Sequence, residues 1–243
     1  MSIATYIKEI GRGKEGARAL TQEQAHDLMS QVLDGRVTDL EIGAFAIAMR
    51  IKGETTDELA GFLQAAHERC IGLHPQHPMV VLPSYNGARK LPNLTTLLAL
   101  LLSQEGVPVL VHGPEHDPGR VTTAEIFQTL GLPSASDAGD IHAAWQRREP
   151  VFIRTEALCP PLARLLDARR VIGLRNPAHT VAKLLAPGPQ SPSMRVVNYT
   201  HPEYGTMLTG FLGWTLANAM LRRGSEGEPV ADPRRLPRLE VFL

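Results

Sequence analysis

The chain runs to 243 residues, 43% of them hydrophobic, enough apolar material for one large packed domain or two small ones. Acidic and basic groups balance at 25 each, no run of about eighteen apolar residues occurs, and Cys70 and Cys159 stand far apart without ligand-like spacing. A membrane-spanning helix is excluded and a disulfide framework or zinc site disfavoured, while charges within MSIATYIKEIGRGK, where a signal peptide would be apolar, predict a cytoplasmic protein.

Helical patterns come first. Thr21 followed by Gln24 is a capping box and predicts a helix to about Leu33, with Ala25, Leu28, Met29 and Val32 on one face and Gly35 as its stop. Thr38 or Asp39 caps the next, whose apolar stripe is Ile42, Phe45, Ala46 and Met49. Thr55 or Thr56 caps a third over Glu58–Cys70, with Leu59, Phe62, Leu63 and Ala66 facing inward. Residues 1–73 are expected to form a small helical bundle, either a packing partner for a sheet or a dimerisation surface.

Composition breaks at Leu73–Pro78, LHPQHP, where His74 and His77 lie beside prolines and read as linker residues rather than a metal site. From there the pattern becomes strand at Met79–Leu82, polar loop from Pro83 to Pro92, helix at Leu94–Leu102 and strand at Val107–Val111. In a parallel β-α-β unit the loop after the first strand opens at the mouth of the sheet, where the following helix N-terminus offers free N–H groups to an anion. The candidate phosphate-binding residues are Asn86, Gly87, Asn93, Thr95 and Thr96, with His112 from the next strand.

Beyond Gly113, helices are expected near Thr122–Leu130, at Ala138–Gln146, from Cys159-Pro160-Pro161 onward, near Ala178–Leu185 and at Met207–Met220. Strands are expected at Val151–Ile153, Met194–Val197 and Leu239–Leu243, with Pro187–Pro192 a surface loop. Strands alternating with helices imply an α/β domain with an open, mainly parallel sheet over 78–159 and 190–243, the helices within about 160–187 joining the bundle. The chain stops inside its last expected strand, which suggests a piece of a longer protein.

Net charge is −3 over residues 1–73, −2 over 74–149 and +5 over 150–243. Arg164, Arg169, Arg170, Arg175 and Lys183 meet a single acid, Asp167, within residues 164–183. Such a cluster suits a polyanionic partner and equally a solvated helix face.

The run DGRVTDLEIGAFAIAMRIKGETTDELAGFLQA, residues 34–65, resembles the helical domain of anthranilate phosphoribosyltransferases and class II nucleoside phosphorylases, and the resemblance covers the whole chain. It implies a helical bundle joined to an α/β domain, with a homodimer formed through the bundle. In the transferases a GTGGD-type loop, an NIST-type motif and a KHG motif cradle the phosphates of phosphoribosyl pyrophosphate. Here they read Pro83-Ser84-Tyr85-Asn86-Gly87-Ala88, Asn93-Leu94-Thr95-Thr96 and Val111-His112-Gly113. Pro83 has no N–H, side chains replace the glycines that allow close approach, and Val111 removes a lysine. The family's magnesium-binding DE pair is replaced by Pro229-Val230, so Glu226 or Glu228 could substitute only if the loop shifted. Cys159 stands where the enzymes have a histidine and reads as a buried thiol or a reactive group.

PSYNGARK, NLTTLLALLL, VHG, CPPL, GLRNPAHTVAKLL and THPEY together are similar to the YbiB-type branch of this superfamily, which is glycosyl transferase family 3-like. The resemblance implies a non-catalytic protein binding nucleic acid without sequence preference, with no cofactor or metal. Arg169 and Arg175 match an RxxLGxR-like stretch of the family, and Arg89, Lys90, Arg164, Arg169, Arg170, Arg175 and Lys183 are the expected nucleic-acid-binding residues. Aromatic residues are 5% of the chain, Tyr85, Tyr199 and Tyr204 being the tyrosines near the expected groove, so backbone contacts are expected to dominate. The alternative is a glycosyl- or phosphoribosyltransferase with a rewritten phosphate loop, using phosphoribosyl pyrophosphate and magnesium; a third is capture of a small anionic metabolite. His112 and His179 are either polar groups of the site or satisfied interior histidines.

Overall fold

Threonine side chains set where several of the helices begin. The computed structural model describes residues 2–13, 15–75, 78–188, 193–215, 217–232, 234 and 238–243. In chain order the first elements are α1 (Ala4–Ile10), α2 (Gln22–Leu33), α3 (Asp39–Lys52), α4 (Thr56–His67), β1 (Met79–Pro83), α5 (Thr95–Gln104) and β2 (Val109–Gly113). Then follow α6 (Thr123–Thr129), β3 (Ser134–Ala135), α7 (Ala138–Gln146), β4 (Val151–Arg154), α8 (Thr155–Leu158), α9 (Pro160–Ile172) and α10 (Ala178–Leu184). Last come β5 (Ser193–Tyr199), α11 (Pro202–Trp214), β6 (Ala219–Arg223) and β7 (Leu239–Phe242). Thr21, Thr38, Thr55 and Thr122 cap α2, α3, α4 and α6, each in a complete capping box with Gln24, Glu41, Glu58 or Glu125. Each such cap is worth about 1 kcal/mol.

The chain divides into two compact units, Met1–Cys70 with Cys159–Leu185 and Ile71–Leu158 with Ala186–Leu243. In the helical unit α2 lies close along α4: a Cβ on Gly61 would meet the Gln22 carbonyl at 2.3 Å. Phe45 and Phe62, both fully buried, meet edge to face at 5.8 Å. Lys52 Nζ pairs with Glu58 at 2.6 Å, and Glu58 also accepts the N–H groups of Leu20 and Thr55.

In the second unit the described strands form one sheet in the order β3-β4-β2-β1-β5-β6-β7. All neighbours are parallel except β7, which runs antiparallel to β6 with Ala219 opposite Phe242. A core of Leu82, Ala99, Val109, Val111, Ala124, Phe127, Phe152 and Val196 lies under α5 and α6. This is the expected α/β class, with one correction in the elements. The segment Met207–Met220 is not one helix: α11 begins at Pro202 and stops at Trp214, and Ala219 and Met220 are already strand β6, paired with Arg195 and Val196. Alanine, methionine and leucine favour helix locally, and sheet pairing overrides that preference. Of the expected linker and loop residues, His77 and Pro189 to Pro192 lie outside the described residues.

Candidate functional site

Strand β1 ends with Pro83 beside His112 of β2. The next pair of residues is packed so closely that a Cβ on Gly113 would come within 1.8 Å of the Ser84 carbonyl oxygen. Two backbone hydrogen bonds, Ala88 N–H to Val121 O at 2.9 Å and Val121 N–H to Ala88 O at 2.8 Å, pin the far side of the loop. Gly87 takes φ +63° there, with Val121 O too near to admit a side chain. The N–H groups of this loop turn toward the segment Gly224–Val230 that leaves β6.

Glu228 of that segment is 0% exposed. Its Oε1 accepts the N–H of Asn86 at 2.9 Å and of Gly87 at 2.7 Å. Its Oε2 accepts the hydroxyls of Ser84 and, at 3.3 Å, Thr95. Burial pushes the Glu228 carboxyl up from the ordinary range, against the pull of these donors. Two residues earlier Glu226 accepts the N–H groups of Arg89 at 2.8 Å, Lys90 at 2.9 Å and Leu91 at 3.0 Å. Burial opposes its ionisation, yet the N–H groups of Leu91, Arg89 and Lys90 and the charge of Arg120 hold this carboxyl at about 2. Asn86 Nδ2 donates to Gly227 O at 2.8 Å, which closes the two segments on each other.

The sequence-expected phosphate residues therefore come together, and three of them already give donors to a carboxylate. Asn86, Gly87 and Thr95 serve Glu228. Asn93 bridges the N–H of Thr95 at 3.2 Å and the Thr123 hydroxyl at 2.9 Å. Thr96 is buried with no hydrogen-bond partner on its hydroxyl. His112 is fully buried, its Nδ1 2.8 Å from the Tyr85 hydroxyl, which also takes a 3.4 Å hydrogen bond from Thr155. Tyr85 is thus tied to the end of β2 rather than presented for stacking on a base. A magnesium–diphosphate pair does not fit these residues: Pro229 and Val230 offer no side-chain oxygen, and both nearby carboxylates are engaged by the loop.

The expected nucleic-acid residues fall in both units. Arg89 and Lys90 are exposed on the loop of the sheet unit. In the helical unit Arg164 donates to Leu33 O at 3.2 Å, Arg170 pairs with Asp167 at 3.2 Å, and Arg169 and Arg175 are exposed near the left-handed Gly173 that ends α9. His179, half-buried on α10, is held at about 4, first by burial and then by the charges of Arg175, Arg169 and Lys183. The charges of all three cations thus act on one imidazole. Cys159 is a buried thiol against Ala66 O at 3.6 Å, and Cys70 donates to the same oxygen at 3.4 Å.

Sequence reasoning considered Glu226 and Glu228 only as magnesium ligands, conditional on a shift of the loop, and missed them as acceptors for the loop's N–H groups. The turn Gly224-Ser225-Glu226-Gly227-Glu228 after an apolar run was the available signal, but the partner lies about 140 positions away in each case.

A helical unit together with a parallel sheet whose first loop gathers N–H groups on an anion defines a protein of phosphoribosyltransferase-like fold. Residues 4–70 match the family "Glycosyl transferase family, helical bundle domain". The chain is 43% identical over its full length to uncharacterized protein YbiB of Escherichia coli K12, of which it spans 77%. It is 27% identical over 90% of its length to the anthranilate phosphoribosyltransferase of Methanopyrus kandleri, of which it spans 62%. Among solved structures, anthranilate phosphoribosyltransferase from Thermus thermophilus matches with a TM-score of 0.73 at 21% identity, covering 91% of this chain and 66% of that one. The chain belongs to the YbiB-type branch of the anthranilate phosphoribosyltransferase and class II nucleoside phosphorylase superfamily.

Proposed function

We propose that this protein binds nucleic acid without sequence preference and does not carry out phosphoribosyl transfer at its loop. The observation that carries the reading is the exposure of Arg169, Arg170 and Arg175 about the left-handed Gly173 that ends α9, with Arg175, Arg169 and Lys183 each disfavouring the charged form of His179. Cations collected on one surface bind a phosphate backbone by releasing its counterions, even in a chain of zero net charge. The closure of the loop by Glu228 supports the second half, because each donor it holds is one that a diphosphate would need. The same reading includes a homodimer through the helical unit, where α3 turns Leu40, Ile47 and Ile51 outward at 83%, 45% and 57% exposure.

The test is fluorescence anisotropy of a labelled mixed-sequence oligonucleotide, at about 50 and 200 mM salt, where several phosphate contacts lose affinity steeply. Replacing Arg169 and Arg175 by alanine should weaken binding, and phosphoribosyl pyrophosphate should not compete. Absence of binding at the lower salt removes this reading. The comparisons lend more support to a second reading, a glycosyl- or phosphoribosyltransferase with a rewritten phosphate loop, through the names and identities of the anthranilate phosphoribosyltransferase relatives. Displacement of the oligonucleotide by phosphoribosyl pyrophosphate, or its binding with magnesium alone, would favour that one.

A further inference from the structure

Cys70 and Cys159, the two cysteines of the chain and far apart in its sequence, meet inside the helical unit. Cys70 follows α4 and is partly exposed, while Cys159 stands immediately before α9 and is buried; both are free thiols. Their sulfurs lie on one carbonyl oxygen, Ala66 O, at 3.4 and 3.6 Å, and the Cys70 thiol is hydrogen-bonded to the Cys159 sulfur. Backbone holds the two passages of chain together next to them, where the N–H of Ile71 donates to Leu158 O at 2.9 Å. Sulfurs so placed reach each other by turning their side chains.

The surroundings of the two sulfurs differ. The hydrogen bond from Cys70 favours the Cys159 thiolate most, and burial opposes it. The Leu162 N–H in the first turn of α9 and the charges of Arg69 and Arg164 favour it further, so the net direction for Cys159 is down. The same hydrogen bond, and then burial, push the Cys70 thiol up. The pair therefore gives up its first proton as a unit, and the charge settles on Cys159. One sulfur is open to small molecules and the other stands behind it as the nucleophile.

We propose that Cys70 and Cys159 form an oxidation site, which a small peroxide converts to an intramolecular disulfide and small thiols restore. The Cys70 sulfur takes one oxygen of hydrogen peroxide: its S–H bond and the O–O bond break, an S–O bond forms, and water leaves. The Cys159 thiolate then attacks the Cys70 sulfur. The S–S bond forms, the S–O bond breaks, and the departing hydroxide joins the proton that Cys159 gave up as a second water. Two thiols are thus oxidised to a disulfide and one peroxide is reduced to two waters. Two molecules of a small thiol return the hydrogens and end as a disulfide themselves. The bond joins the end of the segment Met1–Cys70 to the start of Cys159–Leu185, the two segments that build the helical unit. The site goes beyond the nucleic-acid reading and does not depend on it.

The experiment exposes the full folded chain to hydrogen peroxide, removes the peroxide with catalase, and labels the remaining thiols with a maleimide in denaturant. In the unaltered chain, labelling should fall from both cysteines to neither, with a monomer lighter by two hydrogens and the Cys70 and Cys159 peptides linked after proteolysis. Dithiothreitol should restore both labels. In Cys159→Ala the same treatment should leave a sulfenic acid on Cys70 that dimedone captures. Sulfinic or sulfonic acid without a linked peptide, linkage between two chains only, or two labels retained at a peroxide dose that oxidises free cysteine overturns the proposal. Should Cys159→Ala fail to fold, the linked peptide of the unaltered chain and its reversal by dithiothreitol decide the matter.

Discussion

The N–H of Gly87 donates to Glu228 Oε1 at 2.7 Å across 141 positions of sequence. A glycine in a loop and a glutamate in a late turn thus make one closed hydrogen-bonded unit, and the loop's donors are satisfied without any ligand.

Glu228 is a buried carboxyl whose pKa burial raises. A folded-state pKa above the unfolded one means that its contribution is fully present below the unfolded pKa and is lost as pH rises through the folded one. Glu228→Gln should flatten the decline of stability as pH rises above the ordinary carboxylate range, measured by urea unfolding at several pH values. Glu228→Ala strands two backbone N–H groups and should cost about 1–3 kcal/mol for each. An unchanged pH dependence in Glu228→Gln would mean the carboxyl does not titrate there.

What the sequence made legible, and what it hid, divide by distance along the chain. Helix starts at Thr21, Thr38, Thr55 and Thr122 depend on a residue three positions on, and all are capped by complete boxes. The first two residues of the strand at Ala219–Arg223 read as the end of a helix because its alternating burial is decided by β5, not by its neighbours in sequence. The departure from a GTGGD-type loop could be read from Pro83, Ser84 and Tyr85. The engagement of the loop's N–H groups by Glu226 and Glu228 could not, since their donors are remote and a carboxylate beside a glycine has no local pattern that says what it faces.

His179 has a pKa of about 4, well below the ordinary value near 6.5. Its lowered value means stability that is complete above the unfolded pKa and is lost as pH falls toward the folded one. Removing a neighbouring charge by Arg175→Ala should raise the His179 pKa, read from its ring protons by NMR. Saturation with an oligonucleotide should raise it too, because the phosphates neutralise the same cations. A value unmoved by both would break the link between the cation cluster and polyanion binding.

In the helical unit, Lys52 and Glu58 form an ion pair with side chains 8% and 0% exposed. Lys52→Met leaves the Glu58 charge buried without its cation and should cost about 3–5 kcal/mol. The double change Lys52→Met with Glu58→Gln should recover much of that loss, because no bare charge remains. Denaturant unfolding of the three variants checks the pair; additive losses would show that the two side chains act separately.

Gly113→Ala is expected to damage the sheet unit. Its Cβ would run into the Ser84 carbonyl, and the obstacle is backbone, which cannot swing aside as a side chain can. A loss of about 1–3 kcal/mol or more follows from forced overpacking, and the Asn86 and Gly87 amide signals should broaden or shift as the loop is pushed from Glu228. A variant with unchanged stability and unchanged amides would show that β1 and β2 can part there at no cost.

The distance between Gly87 and Glu228 also has a clock attached. At ribosomal speeds of about 5–20 residues per second, the donors of the loop emerge on the order of ten seconds before the carboxylate that will occupy them. For that interval the N–H groups of Asn86 and Gly87 lack the acceptor that the finished protein gives them. This part of the protein is therefore complete only when the late turn has docked on the early loop.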